Sequence, residues 1–326
     1  MFQYWQVENP KEKAKLCKTS TTKEIKEGEV RLKVQYSSIN YKDALALMGR
    51  PGVIRKFPLT PGIDIAGIVS ESRHKDFKEG DAVFTNGFGL GEDKNGGLAT
   101  EQILIGDDLM HKPQALSLKQ VMQVGTAGTT AAYCLNDLLN VGIKPSDGSL
   151  YVTGATGGVG MFATALSAAA GFDVVAISRK KDDAMLKKIG ASKVLNLEEF
   201  GIEERPLGKE NIAAAIDCVG GDILVSLLAR TKSNGAVAAC GLAKDAQLNM
   251  TVFPFILRGV RLLGVSAVYQ PKHKRQAAWE LISKLDFTLF EGYFSDIALS
   301  QACEAAENIL AGKHKGRYIV HMNEKS

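Results

Sequence analysis

Residues 151–160 read YVTGATGGVG, and the stretch that follows, MFATALSAAAG at 161–171, is rich in alanine and serine. A strand running into glycines and then into a helix is the sequence form of a dinucleotide turn, and Ala155, Gly157 and Gly160 occupy its three small-residue positions. The turn must be tight, a backbone without side chains must approach the pyrophosphate, and the helix must pack closely on the strand. The start of such a helix offers unpaired N–H groups and the positive end of its dipole to phosphate.

Outward from this turn, strands and helices alternate. A helix is expected over Val121–Leu139, then strands over Ser149–Thr153 and Asp173–Ser178, a helix over Lys181–Ile189 and a strand over Lys193–Asn196. Ala213–Cys218, Ala236–Cys240 and Arg261–Val265 read as further apolar strands, with a helix at Ile223–Leu228. Apolar strands alternating with helices imply a parallel sheet covered on both faces, so the fold class is α/β. The first third differs: Val30–Tyr36, Ile63–Ser70, Ala82–Phe84 and Thr100–Ile105 read as strands punctuated by many glycines. Beyond about residue 268 the chain becomes helical and amphipathic and closes on a strand at Arg317–His321. A chain of 326 residues exceeds what one core usually covers, and two domains are expected.

The end of the second strand selects the cofactor. Ser178 lies 18 residues beyond Gly160 and is followed by Arg179 and Lys180, with no carboxylate at the strand end. A carboxylate there would bind the ribose 2′-OH of NAD, whereas a hydroxyl and two cations suit the 2′-phosphate of NADP. NADPH is therefore the expected cofactor.

Composition narrows the remaining classes. The net charge of +4 is modest, and the lysine clusters carry no interleaved aromatic residues, which argues against a nucleic-acid platform. The longest nearly uncharged apolar run, Met161–Phe172, has 12 residues, too few to span a bilayer, so no membrane association is expected. The N-terminus does not read as a signal peptide, and a cytoplasmic location is the expectation. Five scattered cysteines form no CxxC pair and none lies three or four residues from a histidine, so neither a disulfide framework nor a metal site is expected. None of the five histidines is assigned to catalysis.

With the turn placed, further segments become recognisable: SSINYKDAL (37–45), FPLTPGIDIAG (57–67), GGLAT (96–100), GTAGTTA (125–131), AACGLA (238–243), FPFILRGVRLLGV (253–265) and KGRYIV (315–320). With TGATGGVG (153–160), they make the chain resemble the quinone oxidoreductase group of the medium-chain dehydrogenase/reductase superfamily, and within it most closely the acryloyl-CoA reductase-like branch. The resemblance implies a GroES-like, β-rich catalytic domain from residues 1–121 and 268–326, with a Rossmann domain of doubly wound parallel sheet, 122–267, inserted between them. It also implies a homodimer formed by edge strands, here Val260–Ser266.

Zinc-dependent relatives place a cysteine near the position of Asn40 and a His-Glu pair where this chain has Ile63-Asp64. The four-cysteine lobe is also missing around residues 86–100. Neither zinc site can be assembled from these residues. The expected reaction is therefore hydride reduction of an activated double bond or a quinone. Carried over position by position, the resemblance puts Tyr41 beside the nicotinamide and Thr130 near the phosphate or ribose on that side. Thr156, Gly157, Gly158 and Val159 would lie on the pyrophosphate, and Ser178, Arg179 and Lys180 on the 2′-phosphate. Leu242 and Ser266 would contact the nicotinamide half, and Arg317 the cofactor from the C-terminal segment. Leu197 departs from the pattern, since relatives often have an arginine or tyrosine there near the adenosine.

Hydride added to the β-carbon of an enoyl thioester leaves an enolate that must be stabilised and protonated. Tyr41 is the foremost donor candidate, its alternative being a residue packed against the nicotinamide. Asp64 and Asp43 follow, with Asp64 able instead to orient its neighbours through hydrogen bonds. The expected substrate is a short enoyl-CoA such as acryloyl-CoA. A quinone or enal reductase, or a low-turnover NADPH-binding redox sensor, is the alternative.

Overall fold

In the computed structural model, which describes residues 2–21, 23–179 and 183–322, the turn at 154–157 joins a strand to a helix as its pattern requires. In chain order the elements begin with β1 (Phe2–Gln6), β2 (Lys15–Thr19), β3 (Glu29–Ile39), α1 (Tyr41–Leu47), β4 (Asp64–Ser72), β5 (Ala82–Asn86), β6 (Glu101–Ile105) and β7 (Met110–His111). They continue with α2 (Leu118–Asn140), β8 (Leu150–Thr153), α3 (Gly158–Ala169), β9 (Val174–Ile177), α4 (Asp183–Lys188), β10 (Lys193–Leu195) and α5 (Leu197–Phe200). Next come β11 (Ile212–Asp217), α6 (Gly221–Arg230), β12 (Thr231–Ala239), α7 (Phe253–Arg258), β13 (Arg261–Gly264) and α8 (Lys272–Ile282). The chain ends with β14 (Phe294–Ala298), α9 (Ala302–Leu310) and β15 (Arg317–His321).

These elements form two compact units, one from residues up to Thr126 together with those from Glu291 onward, the other from Ala127–Phe290. The second unit is built on a six-stranded sheet in the order β10-β9-β8-β11-β12-β13, and every neighbouring pair is parallel. The order runs outward in both directions from β8, so it reverses between β8 and β11, where such sheets take up dinucleotides. All of β11 is buried, which explains its apolar run Ile212–Ile216: both faces are covered.

The first unit centres on a seven-stranded sheet ordered β14-β15-β3-β4-β5-β7, with β6 also paired to β3. Strand β3 obeys the alternation expected of a half-buried strand, with Val30, Leu32 and Val34 buried in a core shared with Ile65, Val83 and Val320. Helices α1 and α9 pack on each other beside this sheet.

The expected domain limits were 121/122 and 267/268, whereas the structure divides the chain after Thr126 and after Phe290. The second shift has a packing cause. Helix α8 buries Ala278, Trp279 and Ile282, and Phe290 packs at a tilt against Phe162 of α3 with ring centroids 4.8 Å apart. Residues 268–290 thus belong with the parallel sheet. No helix among the described residues is long and apolar enough to cross a membrane.

Candidate active site and dinucleotide turn

Helix α1 starts at Tyr41 because Asn40 is extended, with φ −96° and ψ 167°, and its N–H donates to Asp43 Oδ2 at 2.8 Å. Asp43 is buried and also accepts from Asn40 Nδ2 at 3.0 Å and from the Ile63 N–H at 2.9 Å. Burial, reinforced by the neighbouring Asp64, raises the Asp43 carboxyl to about 6 against the pull of those three donors.

Asp64 opens β4 and is fully buried. Its Oδ2 accepts from Ser38 Oγ at 2.5 Å and Asn40 Nδ2 at 2.7 Å, and its Oδ1 from Thr126 N at 2.8 Å and Thr126 Oγ1 at 2.7 Å. Arg317, 3% exposed on β15, donates to Asn40 Oδ1 at 3.0 Å and Ser38 Oγ at 2.8 Å, and its Nη2 stands 3.4 Å from Asp64 Oδ2. Burial draws the guanidinium below its ordinary value, and the Asp64 and Asp43 carboxylates oppose this. The pair leaves no room for a side chain at Gly125. A Cβ there would stand 2.3 Å from Asp64 Oδ2 and 2.7 Å from Arg317 Nη2, and φ of +48° breaks α2 at this point.

Asp64 and Arg317 are thus brought onto one buried polar cluster, whereas Tyr41, 56% exposed, begins the helix that Asn40 and Asp43 cap. Ser38, Asn40, Thr126 and Gly125 complete the cluster without having been singled out as site residues. Their signal in the sequence was that they lie in two of the segments carrying the resemblance, and that Asn40 stands near where zinc-dependent relatives place a cysteine.

In the second unit, Gly160 answers a steric demand, since a Cβ there would meet Gly154 O at 2.3 Å. Gly157 caps the twelve-residue helix α3 without any side-chain bond to the first turn. Thr156 Oγ1 and Ser178 Oγ lie 2.9 Å apart, tying the turn to the residue after β9. Arg179 follows and is exposed, and Lys180 lies outside the described residues. Leu242 is 66% exposed beyond β12, and Ser266 is exposed beyond β13. Thr156, Gly157, Gly158, Val159, Ser178, Arg179, Leu242 and Ser266 therefore gather past the C-terminal ends of parallel strands, where doubly wound sheets bind ligands. Thr130 is apart from them in sequence, buried on α2.

A further residue supports this edge. Asp217, buried at the end of β11, accepts from Thr153 Oγ1 at 2.6 Å and from the N–H of Gly220 at 2.8 Å, and burial raises its carboxyl. The close glycine approach, the uncapped helix start and the hydroxyl-and-cation strand end fit a nicotinamide dinucleotide with a 2′-phosphate. Among the described residues no group of three or more His, Cys, Asp or Glu could hold a metal ion.

The chain matches the family model described as alcohol dehydrogenase GroES-like domain over residues 26–178, and that described as zinc-binding dehydrogenase over 158–284. It is 45% identical over 301 residues to "Probable acrylyl-CoA reductase AcuI" of Escherichia coli (strain K12), covering 92% of this chain and 93% of the relative. The crystal structure of the YhdH oxidoreductase from Salmonella enterica in complex with NADP is 40% identical and superposes with a TM-score of 0.93 over 99% of this chain and all of that one. That of Bacillus subtilis protein YhfP with NAD bound gives 39% identity and a TM-score of 0.92, covering 98% of this chain and 99% of that one.

Proposed function

Because the chain belongs to the quinone oxidoreductase-like branch of the medium-chain dehydrogenase/reductase superfamily, we propose that it is a zinc-independent NADPH-dependent reductase whose first substrate is a short enoyl-CoA such as acryloyl-CoA. The whole-length likeness to a relative named for acrylyl-CoA reduction carries this reading. The NADP-bound relative and the Ser178-Arg179 strand end support NADPH, and the NAD-bound relative makes the preference a point to be measured.

NADPH would supply the hydride. Thr156, Gly157, Gly158 and Val159 would hold its pyrophosphate through the start of α3, and Ser178, Arg179 and Lys180 its 2′-phosphate. Thr130, Leu242, Ser266 and Arg317 would complete the cofactor contacts. Tyr41 would hydrogen-bond the developing enolate and return a proton to the α-carbon, as the hydride goes to the β-carbon. Asp64 and Arg317 would act through position, since their bonds to Asn40 and Ser38 hold the start of α1 that carries Tyr41.

The sheet edge supports a homodimer. Strand β13 ends the six-strand order, and Val252, Phe253, Ile256 and Leu257 beside it in sequence are exposed. The free cysteines suit a cytoplasmic setting.

The test is NADPH oxidation by the purified protein with acryloyl-CoA, crotonyl-CoA, a quinone and acrolein, before and after prolonged chelation. The expected result is fastest turnover with the enoyl thioesters, unchanged by chelation. Preference for the quinone or acrolein would move the substrate assignment, and NADPH binding with no turnover on any of the four would point to the sensor instead. Loss of activity on chelation, restored by zinc, would overturn zinc independence.

A further inference from the structure

Three of the five cysteines meet at the strand ends of the parallel sheet, although they are far apart in sequence. Cys218 follows β11 and Cys240 follows β12, and the register of these parallel strands, which pairs Asp217 with Ala239, sets the two cysteines side by side. In-register neighbours of a parallel pair point to the same face and have Cα atoms about 4.8 Å apart, within the roughly 4.4–6.8 Å that a disulfide spans. Their sulfurs are 3.8 Å apart. Closing that gap to a bond of about 2.0 Å asks for a shift of about 1.8 Å shared between two side chains. Both residues are half-buried, whereas Cys134 is fully buried on α2.

We propose that Cys218 and Cys240 form a reversible modification site that a peroxide closes to an intrachain disulfide. The Cys240 sulfur attacks one peroxide oxygen, the O–O bond breaks and one water leaves, so that Cys240 becomes a sulfenic acid. The Cys218 sulfur then displaces the hydroxyl from Cys240, releasing a second water with the S–H proton and forming the S–S bond. Two thiols are oxidised, and one hydrogen peroxide is reduced to two waters. The order of attack follows from the surroundings. Hydrogen bonds from Cys134 and Cys218 draw the Cys240 thiol well below the usual range despite burial, and thiolate character governs this chemistry. The same contacts, with burial, push the other two thiols up. Cys303, which has no such neighbours, is pushed up to about 11 by burial.

The site lies against the dinucleotide turn: a Cβ placed on Gly154 would stand 3.5 Å from Cys218 Cβ. The proximity of the two thiols is independent of which substrate the protein reduces.

The experiment is brief exposure of the full-length protein to hydrogen peroxide, followed by thiol titration, intact mass and peptide mapping. Two of the five thiols should disappear with a mass loss of about 2 Da, the crosslink should map to Cys218–Cys240, and dithiothreitol should restore all five. In Cys218→Ser, Cys240 should stop at a sulfenic acid that dimedone captures, and Cys17→Ser should behave as the wild type. Retention of all five thiols, a crosslink through Cys134, Cys17 or Cys303, or oxygen added to Cys240 in the wild type without a crosslink would overturn the assignment. The wild-type map decides the matter even if Cys218→Ser does not fold.

Discussion

Tyr41 presents a phenol at the first position of α1, held there by the Asn40–Asp43 cap. A group that acts on the developing enolate contributes to the transition state more than to the bound ground state. Tyr41→Phe keeps the ring and should lower kcat roughly 10²-fold with acryloyl-CoA, with the KM for NADPH little changed. A quinone, which can take its proton from water, should suffer less. A raised KM for NADPH with kcat intact would make Tyr41 a packing element instead. Arg179 tests the cofactor assignment. Arg179→Ala would remove the proposed charge-assisted contact to the 2′-phosphate and should raise the KM for NADPH roughly tenfold or more, leaving any NADH reaction nearly unchanged. Equal losses with both cofactors would remove the basis for the NADPH assignment.

At the level of elements, the break in α2 is the feature the 3.6-residue pattern concealed. The expected helix Val121–Leu139 runs through Gly125, where φ of +48° and the crowding of Asp64 and Arg317 exclude any side chain. Gly125→Ala should destabilise the protein by about 2–4 kcal/mol through backbone strain and displacement of the buried pair. The midpoint of urea unfolding reads this, and a change of less than about 0.5 kcal/mol, the size of an ordinary surface substitution, would mean that the cluster relaxes easily. Strand β13 poses the opposite problem, an edge that needs cover. The wild type should sediment as a dimer at micromolar concentration. Ile256→Asp, placed among the exposed apolar residues Phe253, Ile256 and Leu257 of α7, should shift it to monomer with its fold retained. A monomeric wild type would refute the edge-strand dimer.

The whole molecule reports on Asp43 through its stability. Its carboxyl titrates at about 6 in the folded protein, above its unfolded value, because burial and Asp64 favour the protonated form. Between about pH 4 and 6 the native state holds a proton that the unfolded chain has lost. The contribution of Asp43 therefore weakens as pH rises through that window. Asp43→Asn cannot titrate, and its amide would set a donor against one of the N–H groups that Asp43 accepts, so the variant should be less stable than the wild type throughout. Its deficit should shrink by on the order of 1–2 kcal/mol between pH 5 and pH 7. Thermal unfolding at the two pH values measures this, and a deficit independent of pH would show that Asp43 does not titrate near 6.

Much of the architecture was legible in local chemistry. YVTGATGGVG dictates a strand, a tight turn and a close-packed helix because each demand is met by residues adjacent in sequence. The apolar strands that follow announce a sheet covered on both faces, and six parallel strands in doubly wound order are what the chain forms. Short elements with little periodicity escaped notice: the β1–β2 hairpin, α1, α7 and β14 are each seven residues or fewer per segment. The domain limit near Phe290 also had no local mark, since it depends on which core Trp279 and Phe290 join. Tyr41, Asp64 and Arg317 could be named from segments of sequence, but a charge pattern cannot show that Arg317, 253 residues from Asp64, is buried against it. The pairing of Asp64 with Arg317, the raised Asp43 carboxyl and the meeting of Cys218 with Cys240 were decided only in the tertiary structure. Each depends on burial and strand register, which bring distant residues within bonding range and remove the water that would otherwise screen them.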